Sequence, residues 1–235
     1  MTLQEVLDKL ARGKISNLAI CEKGKIKSAE IPKVVDAINE ALQRLHTVLP
    51  IRQKSVIVEL YEGRTEYPLT SDHSLRKATG TSIYDPYDYY IMDTEENPFL
   101  DDILTIEEVW DDLDRKRPLN DPVSPLAVFT PEHNCISVNY SPDVRVLNII
   151  YRAKHISLTT DTVTDKVDIP SNLYGALLSY TAYLIHSDMN TETAVQNSQK
   201  YLAEYNNIIQ EVIQNGTITP DKLTNGVKFF TRGWV

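Results

Sequence analysis

The stretch DIPSNLYGALLSYTAYLIHS, residues 168–187, decides the fold class, because an apolar helical repeat returns here after a long region without one. Leu173, Leu177, Tyr180 and Leu184 follow one another at spacings of four, three and four, which places them on one helical face. Pro170 stands just ahead of this repeat, where a helix can begin. The stretch therefore predicts an amphipathic helix.

A second repeat follows after a short connection around residues 187–190. It predicts a longer helix, whose apolar face comprises Val195, Ser198, Leu202, Tyr205, Ile209 and Val212. So short a connection indicates an antiparallel helical hairpin. Asn215 and Gly216 supply a stop signal, and residues 217–235 show no sustained period. We therefore expect the chain to end in an extended arm.

The N-terminal region predicts two further helices. Thr2 and Glu5 have the spacing of a capping box, and Gly13 ends the first helix. A longer helix starts near Pro32 and runs to Pro50. Its apolar face comprises Ile31, Val35, Ile38, Leu42 and Leu45. The four apolar stripes are narrow, so we expect the four helices to pack together as one antiparallel bundle.

The region between the helical pairs is β-rich. Val56, Val58 and Leu60 alternate with other residues, and β-branched or aromatic residues are frequent at 103–109, 136–140 and 144–150. Prolines recur at intervals too short for helices. The expected fold class is α+β, a bundle of about four helices with an inserted β-rich module and an extended C-terminal tail. The predicted organisation is the N-terminal half of the bundle at 1–50, the module at 51–168, the helical hairpin at 169–216 and the arm at 217–235.

Charge is distributed unevenly along the chain. The net charge is −9, yet residues 78–114 hold twelve acidic residues and neither Lys nor Arg, so the remainder is net +3. Such asymmetry permits head-to-tail electrostatic complementarity between copies. Charged residues that merely face solvent would give the same distribution along the sequence. An acidic chain does not suggest binding of nucleic acid through its phosphates.

The sequence carries no GxGxxG, Walker A, GxSxG or HExxH motif, and its five histidines lack metal-ligand spacing. We therefore expect that the protein is not an enzyme and that it binds neither a cofactor nor a metal ion. The most apolar stretch, residues 176–185, is too short to span a membrane, and the N-terminus has no secretory signal. A location in the cytosol follows as an expectation.

Two segments are candidate interaction surfaces. The run Tyr84, Tyr87, Tyr89 and Tyr90 could form a sugar- or peptide-binding surface, since tyrosine offers rigid contact area. Packing inside the fold is the alternative. The arm carries net charge +2, and its candidate residues for binding a partner are Lys228, Phe229, Phe230, Arg232 and Trp234.

Several segments in order resemble the head-to-tail adaptor, or connector, proteins of short-tailed bacteriophages. They are INEALQRLH at 38–46 with LPIR at 49–52, LYEG at 60–63 with Tyr67 and Leu69, RPLND at 117–121, IYRA at 150–153, and Ile169-Pro170 leading into the hairpin. The resemblance covers nearly the whole chain.

This resemblance implies a structural virion protein that is assembled in the host cytoplasm. It further implies a ring, commonly of twelve copies, bound between the portal protein and the tail nozzle protein, with DNA passing through its lumen without specific binding. No catalytic residue is implied. The arm would then bind the portal or a neighbouring subunit through its five candidate residues, and the tyrosine run would be a loop that faces the tail or a neighbouring subunit. Two alternatives from other classes stay open: a carbohydrate- or receptor-binding module of the tail that uses the tyrosine-rich region, and a metal-dependent hydrolase that uses the acidic cluster.

Overall fold

The computed structural model describes residues 1–78, 87–139, 144–162, 164–189 and 191–216. Among them are five α-helices and ten strands. The helices are α1 (Leu3–Arg12), α2 (Ile31–Val48), α3 (Leu75–Ala78), α4 (Tyr174–Ser187) and α5 (Glu192–Gln214). The strands are β1 (Cys21–Glu22), β2 (Lys25–Ile26), β3 (Gln53–Glu59), β4 (Glu66–Pro68), β5 (Ile91–Met92), β6 (Ile103–Asp111), β7 (Lys116–Arg117), β8 (Val128–Glu132), β9 (Cys135–Val138) and β10 (Val146–Ala153).

The chain forms two compact units. The helical unit contains Met1–Ile51 and the described residues from His155 onward, and the β unit contains Arg52–Lys154. The sequence predicts that the β-rich module ends at 168, whereas the contacts of residues 155–168 place them in the helical unit. Leu158 and Val167 pack into the core of the helical unit, and the backbone N–H of Val167 donates to the carbonyl of Met1. The mixture of helices and sheets confirms the α+β class.

One hydrophobic core joins α1, α2, α4 and α5. The amino group of Met1 lies 2.8 Å from the hydroxyl of Tyr174, and the carbonyl of Lys14 lies 3.2 Å from Nε2 of His186, so α1 runs parallel to α4. Lys33 at the start of α2 pairs with Asp188 just after α4, so α2 runs antiparallel to it. The helical unit thus buries α4 among its neighbours.

The hairpin of α4 and α5 is antiparallel. The ring of His186 packs at a tilt against Tyr201, and that of Tyr180 against Tyr205, with ring centroids 5.3 and 4.7 Å apart. At Gly175 a Cβ would lie 3.2 Å from Cδ1 of Ile208, so the absence of a side chain allows this close approach. Thr191 caps α5 by accepting a hydrogen bond from the Ala194 N–H. The capping box of Thr2 and Glu5 on α1 is confirmed.

Two of the predicted apolar stripes need correction. Helix α4 is buried on a wide arc rather than a narrow stripe, since Ala176, Ser179 and Thr181 are buried along with Leu177. Other elements pack on several sides of α4, so small and polar residues are enclosed there. On α5, Val195 is 48% exposed and Ala194 takes the buried position at the start of the stripe.

The β unit consists of two antiparallel sheets that share one hydrophobic core. The five-stranded sheet has the order β5-β3-β10-β6-β7, and the three-stranded sheet has the order β4-β9-β8. Strand β10 lies at the centre of the larger sheet, in register with β3 on one side and β6 on the other. A β-bulge in β6 adds Glu107 between the residues that face Ile150 and Tyr151.

Several elements were not predicted from the sequence. The hairpin of β1 and β2, the short strands β5 and β7, and the one-turn helix α3 carry too few residues to show a period. Strand β4 ends in Pro68 and β8 contains Pro131, both in edge strands of the smaller sheet, where a proline is tolerated. The predicted arm at 217–235 lies outside the described residues.

Candidate interaction surfaces

The tyrosine run is divided between surface and core. Tyr84 lies outside the described residues, Tyr87 is 51% exposed, and Tyr89 is half-buried. Tyr90 is fully buried, and its hydroxyl donates to the carbonyl of Pro68 across 2.6 Å. The run therefore presents Tyr87 and part of Tyr89 at the surface, while Tyr90 belongs to the core of the β unit.

Arg64 organises the surroundings of Tyr90. Its guanidinium lies 4.3 Å from the ring centroid of Tyr90, and His73 stacks on the same residue at 4.6 Å. Arg64 also donates a hydrogen bond to the carbonyl of Tyr87. Burial raises the pKa of the Tyr90 hydroxyl, and the charge of Arg64 offsets only part of this effect. The tyrosine segment is thereby fixed to the residues that follow β3.

The acidic segment is partly structural. Asp93 accepts hydrogen bonds from Ser74 and from the backbone N–H groups of Arg76 and Phe99. Asp102 pairs with Lys54 at 2.6 Å and accepts from the Tyr151 hydroxyl at 3.0 Å. These carboxylates hold loops and strands together. Exposed carboxylates remain at Asp88, Glu95, Glu96, Asp101, Asp112 and Asp114.

One face of the five-stranded sheet belongs to neither hydrophobic core, and we call it the outer face. Register places Asn148 between Ile57 and Trp110, with Met92 opposite Ile57. In the next row Ile150 faces Ser55 and Glu108. Ion pairs border these rows: Glu107 with Arg152 at 2.6 Å and Glu108 with Lys116 at 2.6 Å. Apolar side chains thus surround Asn148 within a charged border, a composition found at protein-binding surfaces, and Asn148 and Ile150 themselves are buried.

Asn148 lies at the centre of the outer face with only 5% of its surface exposed. Neither atom of its side-chain amide has a hydrogen-bond partner among the described residues. An unsatisfied buried amide costs about 1–3 kcal/mol. The centre of the outer face is therefore not optimised for the stability of the β unit alone.

The larger sheet also has an incompletely covered strand. Strand β5 pairs with β3 only through Ile57 and Val58, so no described strand pairs with the first half of β3 on that side. A groove of about 130 Å³ lies here, bounded by β3 and by the segment from Met92 to Phe99. Open strand edges bind other extended chains.

The exposed face of α5 carries few charges. Six amide side chains lie on it: Gln196, Gln199, Asn206, Asn207, Gln210 and Gln214. The charged residues exposed along the same helix are Glu192, Lys200 and Glu211. Amides both donate and accept hydrogen bonds, so this face can contact polar groups of either kind without strong attraction to phosphate.

Within the described ranges, no three His, Cys, Asp or Glu side chains are grouped so that they could hold a metal ion. The helices of these ranges also include none with the length and apolar character that a membrane span requires. The sequence alone predicts neither the outer face nor the open edge of β3. Alternation in β3 and β10 could have indicated which residues point outward, but the strand order is needed to bring them together.

A sheet face of apolar side chains with a charged border, an open strand edge and a helix face with few charges are features of a protein that acts by binding other proteins. The chain matches the family model described as SU10 adaptor protein over residues 1–224, and it therefore belongs to this family. The match agrees with the resemblance to phage head-to-tail adaptors, and it identifies the chain as a structural phage adaptor protein. No curated protein matches the chain.

Proposed function

We propose that this protein is the head-to-tail adaptor of a short-tailed phage, assembled in the host cytoplasm as a ring between the portal protein and the tail nozzle protein. The observation that carries the proposal is the family match over residues 1–224. Twelve copies would form the ring, and DNA would pass through its lumen without specific binding. The β unit would be an insertion between the two halves of the helical unit.

The surfaces of the protein support a role in assembly. A closed ring needs two different patches on each copy, so that one patch meets the other on the next copy. The described residues offer distinct patches of this kind, including the outer face, the open edge of β3 and the exposed face of α5. The arm at 217–235 is proposed as a further binding segment, through Lys228, Phe229, Phe230, Arg232 and Trp234.

The charges of the described residues also suit a channel for DNA. Lys54, Arg115, Arg117 and Arg152 are held in ion pairs with carboxylates, so they are compensated. The exposed carboxylates of the acidic segment would repel the phosphates of DNA wherever they face the lumen. We therefore expect DNA to slide past the ring with little retention.

The test is mass measurement and negative-stain imaging of the protein with and without its portal protein. We expect a folded monomer or weak oligomer alone, and a ring on the portal. A stable closed ring at micromolar concentration without the portal would refute template-dependent assembly. Failure to bind the portal at all would refute the adaptor function.

A further inference from the structure

The backbone of β3 alternates between its two neighbouring strands. The N–H of Leu60 donates to the carbonyl of Arg145, and the N–H of Ala153 donates to the carbonyl of Arg52, so the even-numbered residues from 52 to 60 face β10. The N–H of Glu59 donates to the carbonyl of Tyr90 on the opposite side. The odd-numbered residues therefore face the side of β5.

Gln53 and Ser55 lie on this opposite side beyond the end of β5. Ile57 is the last residue of β3 that β5 pairs with, since its partner Met92 is followed by Asp93, which turns away to bind Ser74. The backbone N–H and C=O groups of Gln53 and Ser55 thus have no strand partner among the described residues. Two donors and two acceptors at strand spacing are what an extended polypeptide recognises.

The groove beside this edge is lined by residues from both faces of the sheet. On the core side it is lined by Val56, Phe99 and Tyr151, and on the outer side by Ser55 and Met92. Successive side chains of a strand point to opposite faces. An added strand would place one side chain against the aromatic residues of the core and the next on the outer face. The groove therefore accepts a strand with large side chains in alternation.

Charge indicates which strand binds there. Glu95 and Glu96 are exposed in the segment that bounds the groove, next to its lining residues Thr94 and Asn97, and no ion pair of the described residues includes either of them. Residues 217–235 carry net charge +2, and within them residues 227–232, VKFFTR, combine β-prone side chains with two cations. The segment that would be donated and the edge that would accept it are different parts of each copy, and a closed ring of identical copies requires two such different patches.

We propose that residues 227–232 of a neighbouring copy add as a strand to the free edge of β3, at Gln53 and Ser55. This inference rests on the proposed assembly of several copies into a ring. Each copy then gives its arm to the next one and receives an arm from the previous one. The main-chain hydrogen bonds supply affinity, and the cationic side chains set the choice of partner.

A proline at position 55 should block the added strand without disturbing the pairing of β3 with β10. The N–H of Ser55 points to the open edge, so Ser55→Pro removes a donor for the added strand and leaves the bonds between β3 and β10 in place. Ser55→Ala keeps the N–H and is the matched control. The pair Glu95→Lys with Glu96→Lys weakens the attraction without altering any strand, and it serves if Ser55→Pro fails to fold.

The experiment uses two full-length forms, mixed and bound to the portal. One is unlabelled and carries p-benzoyl-phenylalanine in place of Phe229, and the other is ¹⁵N-labelled. After irradiation, mass spectrometry should find the photoproduct on ¹⁵N-labelled peptides that contain residues 53–57 or 92–99. We expect Ser55→Pro or the double lysine variant in the labelled copy to lower this yield about tenfold, equivalent to about 1.4 kcal/mol. Ser55→Ala should leave it unchanged.

Products confined to the unlabelled chain would show that the arm binds its own copy and would overturn the proposal. Products elsewhere on the labelled chain, or an undiminished yield in both the proline and the lysine variants, would also overturn it. Negative-stain images of the same samples report the ring separately. Rings without the expected product leave the adaptor function standing, whereas the product without rings contradicts the adaptor function alone.

Discussion

Arg117 donates from Nε to Oδ2 of Asp111 across 3.0 Å, and both side chains are almost fully buried at the edge of the larger sheet. Asp111 also accepts hydrogen bonds from the backbone N–H groups of Leu113 and Arg115 and from Nε of Arg115. One carboxylate therefore closes the turn between β6 and β7 and neutralises a buried guanidinium. The stability of the β unit should therefore depend on the negative charge of Asp111.

We expect Asp111→Asn to destabilise the β unit by about 3 kcal/mol, because it leaves the buried Arg117 without a counter-charge. Burial raises the pKa of Asp111, but the hydrogen bonds from Arg115 and Leu113 and the charge of Arg117 outweigh it, so the pKa is lowered overall. The carboxylate then stabilises the fold above about pH 4, the unfolded pKa, and this stabilisation is lost as pH falls through the folded pKa.

Urea unfolding at pH 7 and at several values between pH 5 and 3 measures both effects. The Asn variant should lose less of its remaining stability on acidification than the wild type loses. Equal acid dependence of the two proteins would contradict the role assigned to Asp111.

Leu177 and Val195 were both predicted to lie on buried helical faces, but only Leu177 is buried in the structure. Leu177 is fully buried, so Leu177→Asp places an unpaired carboxylate in the core of the helical unit and should cost several kcal/mol, enough to unfold it. Val195→Asp on the surface of α5 should change stability by less than about 0.5 kcal/mol. Thermal melts followed by circular dichroism compare the two variants, and similar melts would contradict the burial of α4.

Substitutions of Tyr90 and Tyr87 should have different effects on the free energy of unfolding, although the two residues are only three apart in the sequence. Tyr90→Phe removes the donor to the Pro68 carbonyl and should cost about 1 kcal/mol, since a buried acceptor loses its partner. Tyr87→Phe is the matched control and should stay within about 0.5 kcal/mol, because that side chain is half exposed. Denaturant unfolding of both variants is the measurement, and an equal loss in both would place Tyr87 in the core as well.

Deletion of residues 217–235 tests the arm. The shortened protein should keep its helix content and melting temperature, because the sequence places the stop of the last helix at Gly216. Its binding to the portal or to other copies should weaken, since three large aromatic rings would contribute on the order of 5 kcal/mol before ordering costs. Unchanged binding by a folded truncation would reject the arm, and unfolding would show that it belongs to the core.

The sequence by itself determined the elements that have a sustained period or a local signal. The helices α2, α4 and α5 repeat apolar residues over three turns or more, and the capping box at Thr2 depends on residues three apart. Strands β3, β6 and β10 carry long runs of β-branched residues, so they too could be predicted. These signals depend only on residues close together in the sequence, so they can be recognised without knowledge of the tertiary contacts.

The tertiary structure alone decided which of these residues are buried and which surfaces are left over. Ala194 replaces Val195 in the core, and Tyr90 is enclosed while Tyr87 is not, because the neighbouring elements come from distant parts of the chain. The free edge of β3 arises for the same reason. It exists only because β5 is two residues long and Asp93 turns away to Ser74, and no spacing within β3 carries that information.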